Sequence, residues 1–123
     1  MSETEYKKTI EQKSFEFAKR IVKLYEFLCA GKTEYTLGRQ VLRSGTAIGA
    51  NVFEARQAQS GKDYLSKMNI ALKEASETEY WLKLLYETGY IDEKQYKSIN
   101  DDCSELNKLL ITTVRTLKKK YAE

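Results

Sequence analysis

The 123-residue chain contains no proline, where average usage would supply about 5%. Inside a helix, proline removes a backbone hydrogen bond and clashes with the preceding turn. A chain of this length without one can be helical nearly throughout, and its apolar periodicity points the same way. Phe17, Ile21, Leu24 and Leu28 recur at +4, +3 and +4, one stripe of a helix. Phe15, Ala18, Val22 and Tyr25 run beside it, giving this first helix a wide apolar arc, and Gly31 is the expected stop.

Three more helices follow. The second carries Leu37, Val41, Ile48, Val52 and Ala55 and runs out in the polar stretch from Gln57 to Gly61. The third opens on Ser60-x-x-Asp63, which resembles a capping box, and its expected seam is Leu65, Met68, Leu72, Ala75, Glu79, Leu82 and Tyr86, ending at Gly89. The fourth starts on the Asp92-x-x-Gln95 pair and runs through Tyr96, Ile99, Cys103, Leu106, Leu110, Thr113 and Leu117. Its early acids, Asp92, Glu93, Asp101 and Asp102, and its late bases, Arg115 and Lys118 to Lys120, complement the helix dipole. Long helices with short connections favour antiparallel neighbours. The expected fold is an all-α, antiparallel up-down-up-down four-helix bundle, one domain over residues 1–123, with residues 1–5 frayed.

Composition narrows the chemistry. With 41% hydrophobic and 32% charged residues the chain can build a core and stay in solution, and it does not read as disordered. No apolar run reaches the length of about 18–20 residues that spans a membrane. The opening MSETEYKKTIEQK lacks an apolar stretch, so no signal peptide is expected and the cytoplasm is the expected location. There is no His, so His-based nucleophile activation and His-containing zinc sites are out of reach. Cys29 and Cys103 match no CxxC spacing, and phosphate-cradling glycine loops are missing. No catalytic residues, metal or cofactor are expected, and function is assigned to a surface or an assembly.

Polar residues interrupt the pattern at two places. In the second helix Gly45 and Gly49 share one face, where another helix backbone could come close; the alternative is a weakly formed helix. Gln40, Arg43, Ala47, Asn51 and Glu54 form a stripe beside the apolar one. In the third helix Glu79 falls within the expected seam, where a carboxylate is costly unless paired. The expectation is a register-fixing polar network of Arg43, Asn51, Glu54, Ser76 and Glu79, in which Arg43 pairs with Glu79. Di-metal bundles use Glu-x-x-His, which this chain lacks.

Residues 39–55, RQVLRSGTAIGANVFEA, resemble the signature of the small bundle proteins encoded in 23S rRNA intervening sequences. The block KDYLSKMNIALKEASETEYWLKLLYETGYI, residues 62–91, is similar to the family's second block, and with FAxxIVxLYxxL in the first helix the likeness spans roughly residues 14–117. Thr46, Ala47 and the Phe53-Glu54-Ala55 triplet depart slightly from the family pattern. The resemblance implies a homopentamer with no established enzymatic activity. It also implies kinship with the accessory protein of diversity-generating retroelements, a basic pentamer that binds nucleic acid and a reverse transcriptase.

Charge alone supports nucleic-acid binding weakly, since the net value is +3 and the pI about 8.7. No quarter of the chain dominates: residues 91–123, the most charged, hold 7 bases against 6 acids. The candidate contacts for RNA or another nucleic acid are Lys19, Arg20 and Lys23 on the first helix, Arg39 and Arg56 on the second, and Lys118, Lys119 and Lys120 at the end. A pentamer would repeat each cluster fivefold, and weak phosphate contacts add. Tyr64, Tyr80, Trp81, Tyr90 and Tyr96 could stack bases, although helical spacing favours packing roles. The competing expectation is an interaction protein that docks another protein through the first-helix arc.

Overall fold

The computed structural model describes residues 2–121, which form four helices: α1 (Glu3–Lys32), α2 (Thr36–Ala55), α3 (Gly61–Glu87) and α4 (Glu93–Tyr121). No strand occurs among the described residues. Contacts across each interface fix the directions. Ser14 lies by Gly49, Ile21 by Gly45 and Tyr25 by Gly38, so α1 and α2 are antiparallel. Arg43 reaches Glu74 and Glu77 while Glu54 reaches Lys67, which orients α3 against α2. Cys103 lies by Ala75 and Tyr96 by Tyr86, orienting α4 against α3. The α1–α4 seam closes the bundle through Tyr6 to Leu109, Lys13 to Glu105 and Arg20 to Asp102.

Local chemistry sets the helix ends. Ser2 and Glu5 form a capping box that starts α1 at Glu3, within the stretch expected to fray; Met1 lies outside the described residues. Gly31 is not the stop. The helix runs through Lys32 and ends at Thr33, which takes the left-handed conformation at φ 51°. Ser60 Oγ accepts from Asp63 N at 3.1 Å, while the Asp63 carboxylate returns to Gln59 N. Asp92 and Gln95 cap each other reciprocally at 2.7 and 2.8 Å. Gly89, at φ +86°, makes the turn that ends α3.

The α2 glycines are an approach surface, and α2 is regular across them. A Cβ on Gly45 would stand 2.6 Å from Ile21 Cγ1, and one on Gly49 would stand 3.2 Å from the Ser14 carbonyl oxygen. At Gly45 that space is filled by the Ile21 side chain, and at Gly49 the α1 backbone itself comes up against α2. The core then fills from all four helices, with Phe17, Ile21, Leu28, Ile48, Leu82, Leu85 and Leu110 each at most 2% exposed. Each such side chain contributes about 1.5–3 kcal/mol of apolar burial.

The α3 seam is rotated relative to the sequence expectation. Its buried residues are Met68, Ala71, Ala75, Thr78, Leu82 and Leu85, with Leu65, Leu72 and Tyr86 only partly buried. Successive helix residues point about 100° apart, so placing Thr78 against α2 turns Glu79 away from it. Glu79 faces α4 and accepts a hydrogen bond from Asn107 Nδ2. The expected pairing of Arg43 with Glu79 is therefore wrong.

Candidate nucleic-acid interface

The C-terminal half of α4 is where charge is least compensated. Its inner face, Leu106, Leu110 and Val114, is buried, so positions on the opposite side are held outward by the same packing. Residues 106–121 contain Lys108, Arg115, Lys118, Lys119 and Lys120 and no Asp or Glu. None of these five forms an ion pair with a described residue, and all are exposed. A helix dipole attracts cations within its last turn. That accounts for Lys118 to Lys120 but not for Lys108, nor for Arg115, which lies before the last turn and so outside the dipole role expected of it. Whole-segment charge counting missed those two, because acids in the first half of α4 cancel them in the total.

The other candidate cations are placed differently. Lys19 is bound to Glu16 at 3.2 Å, Lys23 to Glu26 at 3.3 Å and Arg56 to Glu11 at 3.3 Å. Arg20 is held by Asp102 at 2.8 Å and by the carbonyl and hydroxyl of Ser98. Arg39 is exposed near Tyr25 on the far part of α2. The eight candidates thus do not converge. Arg56 and Lys120 do share one depression with Lys7 and Tyr64 at the end where α2 closes and α3 opens. The Tyr121 ring fills the space there that a Cβ on Gly61 would need.

The expected polar network does not assemble either. Arg43 binds Glu74 at 3.2 Å and also Glu77, on the half-exposed outer side of the α2–α3 interface. Trp81 Nε1 donates to Glu77 at 2.9 Å, and this bond together with Arg43 holds the Glu77 carboxyl below the usual carboxylate range. Asn51 Nδ2 donates to the carbonyl of Ala47 within its own helix, Glu54 pairs with Lys67 at 3.3 Å, and Ser76 is exposed. The buried polar contact joining α2 to α3 is Ser44 with Thr78 instead.

Most of the tyrosines and the tryptophan singled out above are packed. Tyr96 stacks on Tyr86 with ring centroids 4.7 Å apart, Trp81 is tied to Glu77, and Lys7 sits 4.8 Å over the Tyr64 ring. Tyr80 remains 60% exposed. The wide arc of α1 is split. One stripe enters the core, while Phe15 and Val22 stay outside, and Phe15 joins Phe53, both 64% exposed, around an apolar groove floored by Ala18, Gly49 and Ala50. No described trio of His, Cys, Asp or Glu side chains could hold a metal ion, and no described helix is long and apolar enough to cross a membrane.

These features define a class: a small antiparallel four-helix bundle with a basic terminal face and an uncovered apolar groove. The chain belongs to the 23S rRNA-intervening sequence protein family, whose model matches residues 7–112. It is similar to a protein of unknown function from the S23 ribosomal protein family of Bacteroides thetaiotaomicron VPI-5482, known from a crystal structure. The two are 55% identical with a TM-score of 0.88, over 89% of this chain and 98% of that one. No curated protein matches the chain.

Proposed function

We propose that this protein is a non-enzymatic, cytoplasmic binding module that works as a homo-oligomer and contacts RNA or another nucleic acid through the basic end of α4. The observation that carries the proposal is the run from Lys108 to Lys120, whose five cations have no carboxylate partner among the described residues. Phosphates would supply the missing counter-charge, with affinity gained through counterion release. Self-assembly is supported by Phe15 and Phe53, large apolar side chains around a groove that a neighbouring copy would take out of water. Five copies, the order that the family resemblance implies, would carry a formal charge of +15 from the +3 of one chain.

The test is light scattering on a sizing column, with and without a structured RNA, at about 50 and about 200 mM salt. An oligomer that shifts with RNA at the lower salt and not at the higher is the expected result. An oligomer indifferent to RNA at both salts would overturn the nucleic-acid role. A monomer would overturn the assembly and favour the second reading, in which another protein covers the Phe15–Phe53 groove.

A further inference from the structure

We infer that the basic half of α4 recognises the phosphate backbone of a double-stranded nucleic acid, without regard to base sequence, through the outward cations Lys108, Arg115 and Lys119. This rests on the nucleic-acid reading above and specifies its ligand. The three recur at +7 and +4, so they lie in one row of the helix, and all are exposed; Thr112, between Lys108 and Arg115, donates its hydroxyl to the Lys108 carbonyl and leaves the contacts to the cations. From first to last the row rises about 16 Å at 1.5 Å per residue. Along a duplex axis that length spans about five phosphates of each strand, at 3.4 Å per step, and the row meets those on the side that faces it.

The row is rigid because the opposite side of α4 is locked into the core by Cys103, Leu106, Leu110 and Val114. Donors at fixed spacing suit a regular phosphate ladder and suit a flexible single strand poorly. Proteins that hold single strands add aromatic platforms on which bases stack. The described outer face of α4 has none: Tyr96 is stacked on Tyr86, Tyr121 lies against Gly61, and Ile111, 39% exposed beside the row, offers no π-face. The side-chain amide beside the row, that of Asn107, donates to Glu79 and is not free to read base edges. Towards the start of α4 the row becomes acidic, with Glu105 bound to Lys13 and Asp101 to Lys97, which ends the footprint.

The experiment is fluorescence anisotropy with labelled RNA and DNA duplexes of about 16 base pairs, in two unrelated sequences, and with one of the separated RNA strands. Both sequences are expected to bind within about twofold of each other, and the single strand about tenfold more weakly or worse. The RNA and DNA arms show which duplex is the better ligand. The triple variant K108Q/R115Q/K119Q should reduce the slope of log affinity against log salt by about 2 to 3, near 0.9 for each phosphate that is no longer neutralised. Lys73→Gln, on the exposed side of α3, should leave the slope unchanged, and thermal melts confirm that each variant is folded. Single-strand binding as tight as duplex binding, a sequence preference beyond about tenfold, or an unchanged slope in the triple variant would overturn the inference while leaving nucleic-acid binding standing. Absence of binding to every probe would overturn both.

Discussion

The hydroxyls of Ser44 and Thr78 meet at 2.9 Å across the α2–α3 interface, and both side chains are wholly buried. Thr78 Oγ1 also lies 2.7 Å from the carbonyl oxygen of Glu74, so the pair is tied into the α3 backbone. Thr78 keeps the Glu74 carbonyl as a partner even without Ser44, whereas Ser44 without Thr78 would lose its partner across the interface inside an apolar core.

Thr78→Val should therefore destabilise the fold by about 1–3 kcal/mol, because the Ser44 hydroxyl is then left unpaired inside the core. The double variant Ser44→Ala, Thr78→Val should fall short of the sum of the singles by about 0.5–1 kcal/mol. Urea midpoints measure both. Strict additivity would show that the two hydroxyls act independently.

The approach of α1 to α2 depends on Gly45. Alanine gains about 1 kcal/mol of helix propensity over glycine, but at this position its methyl meets Ile21 at 2.6 Å. Gly45→Ala should be destabilising by about 1–3 kcal/mol from overpacking, and Ile21→Val should recover part of that stability. Gly49→Ala, whose nearest neighbour is 3.2 Å away, should cost less. A Gly45→Ala protein that melts higher than the parent would contradict this packing.

The Glu77 carboxylate accepts from Trp81 and pairs with Arg43, both of which depress its pKa. The sign follows directly. A lowered folded-state pKa gives stability that is complete above the unfolded value, about 4.3, and is lost as pH falls through the lower folded one. Trp81 is the sole tryptophan, so its fluorescence should change on acidification below about pH 4. Glu77→Gln should abolish that step. Arg43→Leu should cost about 1 kcal/mol or less, since the arginine is half exposed.

The two cysteines should differ in reactivity. Burial pushes the Cys103 thiol well above its ordinary pKa, reinforced by Glu79 and Asp102, while Cys29 is half-buried. A colorimetric thiol titration should find one reactive group in the native protein and two in urea, with Cys29→Ser removing the native one. Rapid native labelling of Cys103 would mean that the α3–α4 interface opens readily.

The apolar groove predicts its own disruption. Phe53→Glu places a charge at a rim position that is 64% exposed. It should leave the chain folded in a thermal melt yet reduce the mass measured by light scattering. An unchanged mass would place the contact between copies elsewhere.

The four helices, two of their caps and most of the core were legible because periodicity, capping pairs and the missing proline all demand the same answer. Gly31 misled because glycine only favours a left-handed helix stop, and here that conformation is taken two residues later by Thr33. Glu79 misled for a rotational reason. An apolar stripe drawn through Leu72 and Tyr86 is one residue out of phase with the buried line through Ala71 and Leu85, and one residue carries a side chain from one neighbouring helix to the other. The charged surface was the least legible part. Which lysines are neutralised depends on carboxylates brought from other helices, as Asp102 is to Arg20, and sequence distance does not encode that. Lys108 and Arg115 became visible once their acidic neighbours in the chain proved to be engaged elsewhere.

Glu3 and Lys120 line the same depression, so the start of α1 and the close of α4 stand side by side. Every helix has antiparallel neighbours on both sides, so the packing describes a closed circuit, with the α1–α4 seam its thinnest side. A short linker across that junction, with the chain reopened at the Thr88-Gly89-Tyr90 turn, would give a permuted polypeptide that keeps the same interhelical packing.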